Sequence, residues 1–255
     1  MDLDKRLPIY VLTIEPPTGL RRVHCEKLFS KLNLHFNFVN GIKSGNSEVK
    51  YIYSKTKNIF FSKRNLTTSE IACYFGFRKI WQAFLDTGQP VCLIAEDDIN
   101  IINEDDFKNV IIHAQDNAAW DILKLFDFKP KKILNRESWN SLTIADYKYP
   151  SSGCVAYLIT RKAAQKLLLR KKIYRAVDED FSHCWEFGLR VRSVSPNPVT
   201  ENSDGLGGSY IEKDRLLEKG SVYMVRSIWG IFLQMRKQIL GFFYRRKLAS
   251  HQKIV

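Results

Sequence analysis

Val91-Cys92-Leu93-Ile94-Ala95-Glu96-Asp97-Asp98-Ile99-Asn100-Ile101 carries an apolar, strand-like run directly into three consecutive carboxylates. Neighbouring carboxylates repel one another, so such a turn is costly unless a cation meets it. At the carboxyl end of a strand in an α/β sheet, where ligands bind, a fitting cation is a divalent metal carrying a phosphorylated substrate. Alternate residues of an extended chain share a side, so Glu96 and Asp98 are expected to share one ion while Asp97 faces away. A solvated acidic turn after a buried strand is the competing reading.

Outward from this strand the pattern alternates. On its N-terminal side Thr67-Thr68-Ser69-Glu70 is a capping box, followed at helical spacing by Ile71, Tyr74, Phe75, Ile80, Trp81 and Phe84. Ile9 to Ile14 reads as a buried strand stopped by Pro16-Pro17, Leu20 to Leu32 as a helix, and Phe36 to Val39 as a second strand. The polar stretch from Lys43 to Arg64 shows no period and is expected to be a loop or an active-site flap. Beyond the acidic turn come a helix from Glu104 to Ala114, strands at Ile122 to Phe126 and Val155 to Ile159, and a helix from Lys162 to Leu169. Such alternation predicts an α/β domain with a mostly parallel central sheet. There is no GxGxxG and no GxxxxGK[ST], so neither an ordinary dinucleotide fingerprint nor a P-loop is supported. Ser203-Asp204-Gly205-Leu206-Gly207-Gly208-Ser209 reads chiefly as a mobile loop, with a backbone-amide cover for a diphosphate as the other reading.

The chain has 255 residues and 45% hydrophobic content, enough for one large core with or without an appendage. Its formal charge of +13 favours an anionic partner: a nucleotide, a nucleic acid or a lipid surface. Residues 221–255 hold Arg226, Arg236, Lys237, Arg245, Arg246, Lys247 and Lys253 with no acid, so seven of those charges sit in the tail. There Val225, Ile228, Trp229, Phe232, Met235, Ile239 and Phe243 recur at spacings of three or four, giving an amphipathic helix with a basic face. Two destinations suit it: an anionic membrane surface, or a docking site on the rest of the protein. The expected division is therefore residues 1–220 as the main domain and 221–255 as a basic helical tail. Five scattered cysteines without a CxxC pair, no secretory signal and no long apolar run lead to the expectation of a cytoplasmic protein, peripherally associated with the inner face of the cell membrane.

Four blocks in order resemble glycosyltransferase family 25, the group of bacterial lipooligosaccharide galactosyltransferases and collagen galactosyltransferases. They are the opening strand with Arg21-Arg22, the helix from Ser69-Glu70-Ile71-Ala72-Cys73 through Lys79-Ile80-Trp81, the run Leu93 to Ile99, and Gly153 to Ala164. The resemblance implies a GT-A-like, Rossmann-type fold and a nucleotide-sugar donor. It also implies a DxD-type metal motif at Glu96-Asp97-Asp98 that takes Mn²⁺ or Mg²⁺. One departure stands out: Gly76-Phe77 occupies the place of a Ser-His pair common in the family.

On this basis Glu96 and Asp98 are the expected metal ligands. Thr13, Glu15, Arg21, Arg22, Asp97 and Lys124 are the expected donor-binding residues. The acidic segment Val177-Asp178-Glu179-Asp180-Phe181 sits where the family places an acidic motif, so Asp178 is the first choice for the catalytic base and Asp180 the second. An acidic helix start favoured by the macrodipole is the other reading of both. The expected activity is metal-dependent, inverting transfer of galactose from UDP-galactose to a lipooligosaccharide or related glycolipid acceptor. The alternative from another class is a non-catalytic peripheral membrane or nucleic-acid-binding protein on a degenerate transferase scaffold. The intact acidic run speaks against it, and nucleic acid is not the favoured partner.

Overall fold

Alternation sets the architecture at the first strand, Ile9–Thr13 (β1), whose five side chains are all buried. Ile9 and Val11 enter one apolar cluster and Tyr10 and Leu12 another, so helices must cover both faces. The computed structural model describes residues 7–43, 47–116, 120–130, 132–217 and 223–252. Leu20–Lys31 (α1) packs Cys25 and Phe29 on the first face, and Asn37–Asn40 (β2) returns parallel to β1. Ser47–Ile52 (α2) and Lys55–Phe61 (α3) lead to Thr68–Asp86 (α4), which covers the second face. The capping box is formed as expected: Thr67 Oγ1 accepts from Glu70 N, and Glu70 Oε2 accepts from Thr67 N. Tyr74, Phe77, Ile80, Trp81 and Phe84 are fully buried along α4, each worth roughly 1.5–3 kcal/mol in apolar burial.

Val91–Glu96 (β3) then pairs with β1 on the side opposite β2. Ile99–Ile101 (β4), Glu104–His113 (α5) and Ile122–Lys124 (β5) follow, then a hairpin of Ile133–Trp139 (β6) and Leu142–Tyr147 (β7). Ala156–Thr160 (β8), Arg161–Leu168 (α6), Val177–Ser182 (α7), Val191–Val194 (β9) and Val199–Glu201 (β10) lead to Tyr210–Leu217 (α8) and Tyr223–Gln252 (α9). The main sheet runs β2-β1-β3-β8-β5-β9-β7-β6, with β10 and β4 as a separate antiparallel pair. Six of its eight strands point one way, and β8 and β7 run against them. This is the expected α/β architecture with a mostly parallel central sheet.

The stretch expected to be a loop is instead largely helical. The ends of α2 and α3 are held by tertiary bonds, Ile173 N to Ile52 O at 2.7 Å and Ser54 N to Ile173 O at 2.8 Å. The buried Asn58 donates to Arg64 O and Tyr174 O. These helices are stabilised from outside, which is why no amphipathic period announces them. Positions 44–46 of that stretch, together with Ser221, Val222 and Lys253 of the tail, lie outside the described residues. No helix among the described residues is long and apolar enough to cross a membrane.

Candidate active site

The chain leaves β1 to place β2 on one flank and returns to place β3 on the other, so a crevice opens at the carboxyl ends of β1 and β3. Leu12 pairs there with Glu96. The crevice is a cavity of about 470 Å³, floored by Thr13, Glu15 and Glu96 to Asp98 and walled by Ser209, Tyr210 and Lys213. One face of α1 clamps the acidic turn. Arg21 Nη1 donates to Asp97 Oδ1 at 2.7 Å and Asp98 Oδ2 at 3.1 Å, His24 Nε2 meets Ile99 O at 2.7 Å, and Cys25 Sγ donates to Asp97 O at 3.3 Å. Positions 21, 24 and 25 share a helix face, so one turn of α1 fixes the whole loop.

The electrostatics are unbalanced. Burial works against the Arg21 charge, and Asp97 and Asp98 more than restore it. Glu96 has no such partner: burial first, then Asp98, Asp97, Asp178 and Glu201, push its carboxyl well above the usual range. Burial likewise raises Asp98, with Arg21 pulling the other way. Asp98 Oδ1 is buried without a hydrogen-bond partner. Among the described residues no three His, Cys, Asp or Glu side chains gather to hold a metal by themselves. Two carboxylates with surplus negative charge and an orphaned oxygen do fit a divalent cation that takes its other ligands from phosphate and water.

Cys73, Glu96, Ser209 and Ile211 also line a second cavity of about 350 Å³, together with Gly153, Asp178 and Arg215. Asp178 Oδ2 accepts from Gly153 N at 3.1 Å and Oδ1 from Glu179 N at 2.9 Å, leaving the carboxylate oriented at this cavity. Gly153 has φ +94°, a conformation that suits glycine and aims its N–H at Asp178.

The expected residues divide sharply. Thr13, Glu15, Arg21, Glu96, Asp97 and Asp98 converge on the first cavity, and Asp178 faces the second. One part of the reading of the acidic turn is corrected: Asp97 does not face away but shares the Arg21 cation with Asp98, while Glu96 lies on the floor common to both cavities. Arg22 lies outside either lining, donating to Glu15 O at 2.8 Å and to Asn40, with its guanidinium over Phe38. Lys124 is fully buried elsewhere, its Nζ donating to Asp127 Oδ1 at 2.8 Å and Ser151 O at 2.6 Å. Asp180 is corrected as well. It is fully buried among Tyr74, Arg170 and Arg175, accepting from Tyr74 Oη at 2.6 Å, and burial pushes its pKa up to about 6 against those cations. Fully enclosed by these partners, it has no route to a substrate.

Three features noted in the sequence take roles here that the sequence did not assign. The glycine-rich segment is fastened across the cavity: Arg21 Nη2 donates to Gly208 O at 2.9 Å, and Tyr210 Oη to Glu15 Oε1 at 2.6 Å. Glu70, seen in sequence only as a cap, also takes Arg64 and Arg215 beside the second cavity. The Gly76-Phe77 departure is a packing solution. A Cβ on Gly76 would lie 2.6 Å from Leu12 Cδ1, and Phe77 is fully buried against Tyr157.

The family model for glycosyltransferase family 25 (LPS biosynthesis protein) matches residues 7–181. The Haemophilus influenzae lipooligosaccharide biosynthesis protein lic2B is 24% identical over 154 residues, 58% of this chain and 57% of that protein. Procollagen galactosyltransferase 1 of Danio rerio is 28% identical over 156 residues, 52% of this chain and 25% of that protein. The chain thus spans little more than half of the first relative and a quarter of the second. A Drosophila β-1,4-galactosyltransferase 7 variant, solved with manganese, UDP-Gal and xylobiose, covers 85% of this chain and 81% of its own at 9% identity. Its TM-score of 0.40 is too low to bear on the site. With the family model spanning β1 to β8, the acidic turn and Asp178, the chain belongs to glycosyltransferase family 25.

Proposed function

We propose that this glycosyltransferase moves a hexose, galactose from UDP-galactose, onto a lipooligosaccharide or related surface-glycan acceptor, with inversion and with Mn²⁺ or Mg²⁺ as cofactor. The observation that carries this reading is the position of Glu96 on the floor shared by two cavities, one at the switch point of the sheet and the other holding Asp178. A donor in the first and an acceptor in the second would meet at that floor.

Thr13 and Glu15 offer polar contacts to the nucleoside, and Arg21 and Lys213 bring positive charge to the diphosphate side. A divalent cation held by Glu96 and Asp98 would supply further charge to the leaving group. Asp178 takes the proton of the attacking acceptor hydroxyl as its oxygen bonds to the anomeric carbon. The bond from that carbon to the phosphate oxygen breaks, and UDP departs with the electron pair. The two backbone N–H groups on Asp178 fix its direction, which general-base catalysis requires. The five cysteines are all free, which suits work in the cytoplasm.

Calorimetric titration of UDP-galactose, UDP-glucose, UDP-N-acetylglucosamine and a GDP-sugar, with Mn²⁺ and with EDTA, tests the donor site. Manganese-dependent binding of UDP-galactose that is lost in Asp98→Ala is the expected result. Binding of none of the four would overturn the reading, and preference for another UDP-sugar would replace galactose.

A further inference from the structure

We infer that α9 and α3 together form a platform that lies on an anionic lipid bilayer. The two faces of α9 behave differently. One docks on the protein: Gly230 and Leu233 are buried, Lys237 Nζ donates to Ser182 Oγ at 2.6 Å, and Arg245 Nη1 donates to Lys148 O at 2.6 Å. The other carries Ile228, Ile231, Phe232, Met235, Ile239 and Phe243, which are 52–73% exposed. Their spacing of one, three or four residues makes a single stripe, the pattern of a helix lying in a membrane interface. A stripe of this length facing water marks a partner surface.

Charge selects the partner. The helix Tyr223–Gln252 contains no acidic residue, and Arg246 and Lys247 are exposed near its end. The stripe also continues onto a basic cavity. Trp229 Nε1 donates to Phe60 O at 3.2 Å, Arg236 lies over the Phe61 ring, and Phe61 packs on Tyr174 at 5.7 Å. Phe60 and Ile59 are themselves exposed. Tyr174 walls an open cavity of about 500 Å³ lined by Lys57, Lys166, Lys171 and Lys172. An apolar strip beside clustered lysines matches the acyl boundary and the phosphates of an anionic membrane. A second copy of this chain would set the same cations against each other. Through Lys237 and Ser182 the helix rests on α7, which carries Asp178, so a lipid-linked acceptor would arrive beside the second cavity.

The test is flotation of the full chain with phosphatidylcholine vesicles and with vesicles containing phosphatidylglycerol. It compares the wild type with Ile239→Asn/Phe243→Asn and with Lys171→Gln/Lys172→Gln. The wild type is expected to float with the anionic vesicles alone, and raised salt to weaken it. Each double variant is expected to bind about tenfold less, with coincident thermal melts because all four side chains are exposed. If the apolar variant does not fold, the lysine variant and the lipid and salt dependence of the wild type decide alone. Absence of wild-type binding, equal binding to neutral vesicles, or unchanged binding by folded variants would overturn the inference. So would an apolar variant that only turns a dimer into a monomer. None of these side chains touches the donor cavity, so failure here leaves the nucleotide-sugar titration standing, and the reverse.

Discussion

Two of the ionic clusters among the described residues, one around Asp180 and one around Glu96, differ in balance. Around Asp180, two carboxylates meet two guanidiniums: Arg175 binds Glu186 at 2.8 and 2.9 Å, and Arg170 reaches both Asp180 and Glu186. Burial would raise Glu186, yet Arg175 and Arg170 bring it down to about 2. Around Glu96, by contrast, Asp97, Asp98, Asp178 and Glu201 crowd one another, and Arg21 is the cation bonded to the turn. In the first cluster Asp180 Oδ1 and Arg170 Nε make no hydrogen bond, yet every carboxylate oxygen lies within 3.5 Å of a guanidinium nitrogen, so the charges balance. The second leaves surplus negative charge on Glu96, Asp97 and Asp98, which line a cavity, and Asp98 Oδ1 has neither a hydrogen bond nor a guanidinium of its own. Balance marks a structural cluster; surplus marks a site.

The contrast is broken most forcefully at two aspartates of the same short helix. Asp178→Asn is expected to lower kcat about 10³-fold, roughly 4 kcal/mol of transition-state stabilisation, with UDP-sugar affinity unchanged. Steady-state rates set beside calorimetric titration check this, and an unaltered kcat would remove Asp178 from the mechanism. Asp180→Leu is expected to do the reverse. It strands Arg170, Arg175 and the Tyr74 hydroxyl, costing about 3 kcal/mol in urea unfolding while the folded fraction binds donor normally. Loss of donor binding at full stability would interchange the two clusters.

In the sequence these aspartates are equivalent, two residues apart in one acidic run, and nothing local separates them. What separates them is Arg170, Arg175 and Tyr74 on one side and the Gly153 amide on the other, all brought there by tertiary structure. The same division runs through the fold. β1, α4 and β3 are legible because burial on a regular period writes itself into the sequence, and the Thr67-Glu70 capping box adds a local signal. The β6 strand is not, since Ile133–Trp139 lies at a sheet edge with most of its side chains partly or fully exposed, so no alternation is imposed. Lys124 and Arg22 misled because a cation near a strand end looks the same whether it meets phosphate or its own backbone carbonyls. The tail shows both outcomes at once: its amphipathic period and basic face are legible, but that Lys237 and Arg245 turn inward to partners far away in sequence is not. The apolar arc that a soluble helix would bury is the one left outside.

A smaller effect sharpens the boundary between the clusters. His183 follows α7, and its Nδ1 lies 2.7 Å from Glu179 O, so the neutral ring donates there. Burial, then Arg175 and Lys237, hold its pKa down at about 3 against an ordinary 6.5. A base depressed on folding stabilises the native state above the unfolded pKa. As pH falls below 6.5 the unfolded chain takes up a proton that the native ring refuses, and stability is lost until the folded value is reached. The loss is about 1.4 kcal/mol per pH unit, or roughly 2 kcal/mol at pH 5. His183→Gln removes this titration, so the unfolding free energies of wild type and variant should draw together by that amount between pH 7 and pH 5. Parallel curves over the range would mean that His183 protonates in place. The ring would then belong with the open, under-neutralised side of α7 and not with the closed one.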